Sequence, residues 1–169
     1  ALTSGYRNIL MGLNAGGQMN TGYLNVAIGY NALSSVAVSE DFNIAIGYDA
    51  MANVDEGTAG GDADNNIAIG LGALTGGDFA GNDRQLQGNI AIGTSALDGT
   101  GTNAQTGTIA IGHEALTACT SGDENVAVGY QSGKAITTGS DNTILGHVAA
   151  LGMVTGERNI AIGKQALGR

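Results

Sequence analysis

The nine-residue phrase NIAIGYDAM, Asn43 to Met51, recurs along the chain as NVAIGYNAL, NIAIGLGAL, NIAIGTSAL, TIAIGHEAL and NIAIGKQAL. Self-similarity at a fixed period marks a stacked architecture, in which one supersecondary unit cannot bury its apolar face without a neighbour. Aligning on the glycine of the phrase gives Gly12, Gly29, Gly47, Gly70, Gly93, Gly112, Gly129, Gly146 and Gly163, a set that spans nearly all of residues 1–169. Four of the eight intervals are 17 residues, two are 18 and 19, and the two consecutive steps from Gly47 to Gly93 are 23. The chain therefore reads as a single repeat domain with a basic unit of 17 residues and two inserts, at 52–65 and 75–88.

The columns of the alignment have distinct chemistry. Asparagine opens eight of the nine repeats, with Thr108 the exception. Asparagines stacked at the roughly 4.8 Å spacing of adjacent strands can pass amide hydrogen bonds from rung to rung. The next three residues alternate β-branched, small, β-branched, as in Ile44-Ala45-Ile46, which predicts a short strand. The glycine then ends the strand at a bend or a close backbone approach. Three residues on, Ala32, Ala50, Ala73 and their equivalents, followed by Leu or Met, predict a second short strand crossing back over the core. Thr/Ser-Gly pairs such as Thr21-Gly22 and Thr138-Gly139 mark the returning turn. Thirty glycines, no proline, no tryptophan and 4% aromatics fit a core of small aliphatics and tight turns. The class is all-β, a parallel β-roll solenoid of about nine 17-residue repeats.

Alternation in the strand raises the question of assembly. If the isoleucines point into the coil, then Ala27, Ala45, Ala68, Ala91, Ala110, Ala127 and Ala161 point outward, where a solvated strand would carry Thr, Lys or Glu. Such a column predicts an interface at which another copy approaches closely.

The Asn, the AIG triplet and the following Ala resemble the head repeats of trimeric autotransporter adhesins, and more closely the 17-residue NTAIGYNAL repeats of phage tail-fibre proteins. The resemblance spans all nine repeats, although the adhesin head unit is usually nearer 14 residues. It implies a left-handed parallel β-roll assembled as a homotrimer and projecting from a bacterial or virion surface, where it binds a cell-surface protein or glycan.

Candidate chemistry lies in three places. The residue after the repeat glycine forms a variable column in which Tyr30, Tyr48 and Tyr130 offer apolar area and a hydroxyl to a sugar or protein, or else stack to brace the bend. Its histidines, His113 and His147, lie two rungs apart, too far to share a metal within one chain. The adjacent inserts predict a protrusion, with Phe79 and Arg84 as candidate ligand contacts. Their carboxylates, Asp55, Asp62, Asp64, Asp78 and Asp83, are candidate Ca²⁺ ligands, although their spacing is not that of an EF-hand.

Other classes fare less well. The sequence has no G-x-S-x-G, HExxH, P-loop or CxxC pattern, so the reading is non-enzymatic. Insert carboxylates flanking a glycosidic bond leave a tailspike-type polysaccharide depolymerase as an alternative. In-register Thr21, Thr138 and Thr155 leave an ice-binding solenoid as another. Fifteen acidic against six basic residues, a formal charge of −9, disfavour nucleic acid. No apolar run approaches the roughly 20 residues of a membrane helix. Cys119 stands alone, so no intrachain disulfide is expected.

Overall fold

The computed structural model describes residues 4–35, 40–54, 62–76, 85–101 and 103–168. Nine three-residue strands form one parallel sheet: β1 (Ile9–Met11), β2 (Val26–Ile28), β3 (Ile44–Ile46), β4 (Ile67–Ile69), β6 (Ile90–Ile92), β8 (Ile109–Ile111), β9 (Val126–Val128), β10 (Thr143–Leu145) and β11 (Ile160–Ile162). Each pairs with the next occurrence of the phrase in strict register: Ala27 lies against Ala45, Ala45 against Ala68, and Ala68 against Ala91. A second parallel sheet is small, joining β5 (Leu86–Gln87) to β7 (Gln105–Thr106), with a bridge from Asp62 to Gln85 continuing it. Together they make a β-solenoid, whose backbone hydrogen bonds run from one coil to the next, as from Ile44 N to Asn66 O at 2.9 Å.

The expected second strand after each glycine is not there. Its place is taken by turns, because the residues concerned adopt left-handed backbone angles that cannot continue a strand: Met51 (φ 50°), Leu74 (46°), Leu97 (52°) and Leu116 (50°). Non-glycine residues enter this region at a cost of roughly 1–2 kcal/mol each. Here each one is fully buried, and full burial of a side chain of this size contributes about 1.5–3 kcal/mol, enough to offset the strain.

The orientation of the strands is the reverse of the expectation. Ala27, Ala45, Ala68, Ala91, Ala110 and Ala127 are completely buried and Ala161 is 2% exposed, within a single chain. The isoleucines and valines on either side of them lie outward and are half-buried, or exposed on the first and last strands. Volume explains the inversion. The interior already holds the Ala32–Ala50–Ala73 column, the Leu33–Met51–Leu74 column, and Met19, Cys119 and Ile136. Two β-branched rows per strand would overfill it, and overpacking costs about 1–3 kcal/mol per site.

The asparagine ladder forms, with an added task. Asn66 and Asn89 each donate a side-chain amide to the Oδ1 of the preceding asparagine, at 3.2 and 3.1 Å, as well as a backbone N–H at 2.9 and 3.0 Å. The same amides also cross the coil, from Asn66 to Leu86 O at 2.6 Å and from Asn89 to Gln105 O at 2.8 Å. Buried polar groups must be satisfied, and this ladder fastens the large sheet to the small one.

Candidate functional site

Because every strand of the large sheet runs in the same direction, its outer face has two distinct borders. At the strand starts stands the residue before each asparagine, and at the strand ends the residue after each glycine. Both borders are exposed throughout the described chain. Between them lie two rows of β-branched and other apolar side chains, broken only by Thr143. The outer face is thus a continuous apolar strip with more varied margins.

The structure brings the candidate tyrosines into ladders. The rings of Tyr30 and Tyr48 stack at 4.9 Å with 13° between their planes. Tyr130 belongs to a separate stack, between His113 and His147, at 5.2 Å from each. Their faces therefore cover one another. Tyr130 is covered on both faces and Tyr30 and Tyr48 on one face each, so what the row offers a ligand is chiefly ring edges and hydroxyls, the three tyrosines being 42–53% exposed. Such a row suits hydrogen bonding better than stacking on a sugar. Beside it runs a polar ladder, with the Asn14 amide donating to Asn31 and the Asn31 amide to Asp49, at 2.9 and 3.0 Å.

The opposite border carries an aromatic group that the column reading missed. Tyr6 and Tyr23 stack at 5.3 Å, and the Phe42 ring meets Tyr23 edge-on at 5.2 Å. The 17-residue separation of Tyr6 and Tyr23 was the available signal.

Of the insert residues, Phe79, Arg84, Asp55, Asp78 and Asp83 lie outside the described residues. The ends of the inserts belong to the scaffold: Val54, Ala63 and Leu86 are fully buried. Asp62 accepts from the Gln87 amide at 3.3 Å. Asp64 accepts the backbone N–H of Asp41, whose own carboxylate accepts that of Tyr23, both at 2.8 Å. Among the described residues no three His, Cys, Asp or Glu side chains converge as a metal group. Cys119 is buried, and burial pushes its thiol up in pKa, away from the reactive thiolate.

Asp41 and Asp64 are held above their ordinary values, chiefly by burial, with the charge of Asp62 adding to both and that of Asp41 adding to Asp64. Their contribution to stability is present below the unfolded-state value and is lost as pH rises through the folded value. Above that value the two carboxylates cost stability. The double change Asp41→Asn, Asp64→Asn keeps an oxygen to accept each backbone N–H. It is expected to raise the melting temperature at pH 7 and to flatten the decline in stability as pH climbs through the carboxylate range. An unchanged slope in melts from pH 3 to 7 would overturn this. Glu114 has the opposite sign. Hydrogen bonds from Lys134 and Gln131 hold it below its ordinary value, so its share is lost on acidification.

Comparison with family models, curated proteins and solved structures returns no match. The class defined by the chain itself is a parallel β-solenoid repeat protein with an apolar outer sheet face.

Proposed function

We propose that this chain is a non-enzymatic rod module of a surface fibre, a phage tail fibre or the head of a trimeric adhesin, that acts outside the cell in attachment to a host or cell-surface protein or glycan. The observation that carries the reading is the outer isoleucine strip. Nine strands in register present two apolar rows to the outside of the coil. A continuous apolar surface of this kind marks an interaction site. Three copies packed through it would form a homotrimeric rod, and the repeat resemblance points to the same number. Weak contacts along the exposed borders would then be multiplied threefold on a surface whose sites match the spacing.

The test begins with mass. Light scattering of the wild type at micromolar concentration is expected to give about three times the 16.7 kDa of the chain, and Ile92→Glu is expected to give a folded monomer, since it places like charges in a dry contact. A wild-type monomer would remove the trimer. Binding to cells or immobilised surface glycan is expected of the trimer, with no reducing ends released from polysaccharide. Release of reducing ends would replace the attachment reading with a depolymerase.

A further inference from the structure

We infer that the two ends of the solenoid fit each other, and that they join one copy of this chain to a second copy stacked on the same axis, β11 of the first pairing with β1 of the next. The contact is axial and makes no use of the outer sheet face on which the attachment reading rests. β1 and β11 are the edges of the large sheet, each paired on one side only. An unpaired edge is a template for another strand. Ile160 and Ile162 are 73% and 65% exposed, and Ile9 and Met11 53% and 60%, where the same positions of β3 and β6 are half-buried.

What each end lacks, the other supplies. Inside the chain an asparagine Oδ1 accepts the backbone N–H of the asparagine one coil on, as Asn8 does from Asn25 at 2.8 Å and Asn142 from Asn159 at 3.0 Å. Among the described residues this series leaves the Asn159 Oδ1 open at one end and the Asn8 N–H open at the other. The backbone series stops in the same way. Ile44 N–H donates to Asn66 O and Gly47 N–H to Ile28 O, so a copy stacked on β11 would take the Ile160 N–H on its Asn8 O and give its Gly12 N–H to Ile162 O. A Cβ on a strand-ending glycine runs into the carbonyl oxygen of the glycine one coil on, 2.5 Å away at Gly129 and at Gly146, but at Gly163 it meets nothing within 4 Å. That open space is the one a second Gly12 carbonyl would fill. Leu167, 51% exposed, would then lie over Gly16, as Leu116 lies against Gly133 within the chain. A two-fold contact of β11 with β11 runs the strands antiparallel and breaks the asparagine and glycine columns, so the match selects head-to-tail stacking. One pair opposes the joint. Arg7 and Arg158 share the column before the asparagine, in which successive coils are in reach of each other, as Arg158 Nε is of Asp141 Oδ2 at 3.7 Å.

The Ile92→Glu variant isolates the joint, since its outer face takes no part. The joint covers the end of one coil only, which places it among weak contacts, open at micromolar concentration and formed at roughly 0.1–1 mM. Sedimentation velocity over that range is expected to show growth into longer species. Gly163→Ala is expected to stay folded, as its methyl meets nothing within its own chain, and to weaken the growth at least about tenfold by meeting the Gly12 carbonyl of the next copy. Arg7→Glu is expected to tighten it about fivefold by giving Arg158 an acidic neighbour. Glu124 already holds that column at φ 56°, close to the 61° of Arg7, so the backbone accepts the change. Paired cysteines fix the orientation. With Cys119→Ser added, Leu13→Cys and Lys164→Cys fall on neighbouring rungs across the joint, within disulfide reach, but eight coil steps or about 38 Å apart within a chain. Mild oxidation is expected to build a ladder of multimers on a non-reducing gel about tenfold faster than either single cysteine forms dimers. Absence of growth up to 1 mM, growth indifferent to both Gly163→Ala and Arg7→Glu, or a single cysteine that crosslinks as fast as the pair would overturn the joint. None of these outcomes touches the trimer, which stands or falls on the mass of the wild type.

Discussion

Ala91→Glu is expected to abolish folding of the chain, not only its association. Ala91 is fully buried between Ala68 and Ala110, its register partners on the neighbouring strands. A glutamate there must force extra atoms into a filled interior and bury a carboxylate. Overpacking and an unpaired buried charge are among the few single changes that exceed about 4 kcal/mol. The next residue in the strand behaves oppositely: Ile92→Glu projects from the coil and should remain folded while losing assembly. Far-UV circular dichroism and thermal melts of the two variants, with light scattering of whichever folds, decide between the two faces. A folded, monomeric Ala91→Glu would mean that the alanines face outward after all.

Gly93→Val is the second large effect. Gly93 has φ +130°, and a Cβ built there would lie 2.6 Å from both the carbonyl carbon and oxygen of Gly112 and 3.1 Å from the His113 nitrogen. Those are backbone atoms of the next coil and cannot rotate aside. Strain at a backbone angle closed to β-branched residues adds to the clash, so a loss of at least about 3 kcal/mol is expected in urea denaturation. Gly88 supplies the control. It also has positive φ, +67°, but nothing lies within 4 Å of the added carbon. Gly88→Ala is therefore expected to cost only about 1 kcal/mol, the price of the left-handed angle alone. Similar losses at both sites would mean that the glycines are selected for bending and not for close stacking.

Much of this architecture can be read from the phrase itself. The interval between glycines locates each strand to the residue, since Ile44-Ala45-Ile46 and its copies are the strands of the large sheet. The asparagine column announces a ladder, and the ladder is present. Ala-Leu and Ala-Met pairs look extended when only hydropathy is considered, and so predict a second strand that does not form. Hydropathy does not report that Met51 and Leu74 sit at left-handed angles.

The candidate site was less legible, and for a different reason. Tyr30 and Tyr48 lie in one column by period alone, but only the structure shows their faces closed against each other. Asp41 and Asp64 each stand six residues before a repeat glycine, so the alignment puts them in one column, but only the structure shows that this column is partly buried and that one carboxylate accepts the backbone N–H of the other residue.

By itself the sequence determined the period, the strand positions, the parallel register and the division of each strand into two alternating sets of side chains. A period of two says which residues share a face and is silent on which face is inside. The tertiary structure decided that. The space enclosed by one coil, already occupied by Leu33, Met51, Leu74 and their alanine neighbours, admits the Ala45 column and excludes the isoleucines. Interior volume belongs to the closed coil as a whole, so no single repeat could declare it, and it turned the outward strip from alanine to isoleucine.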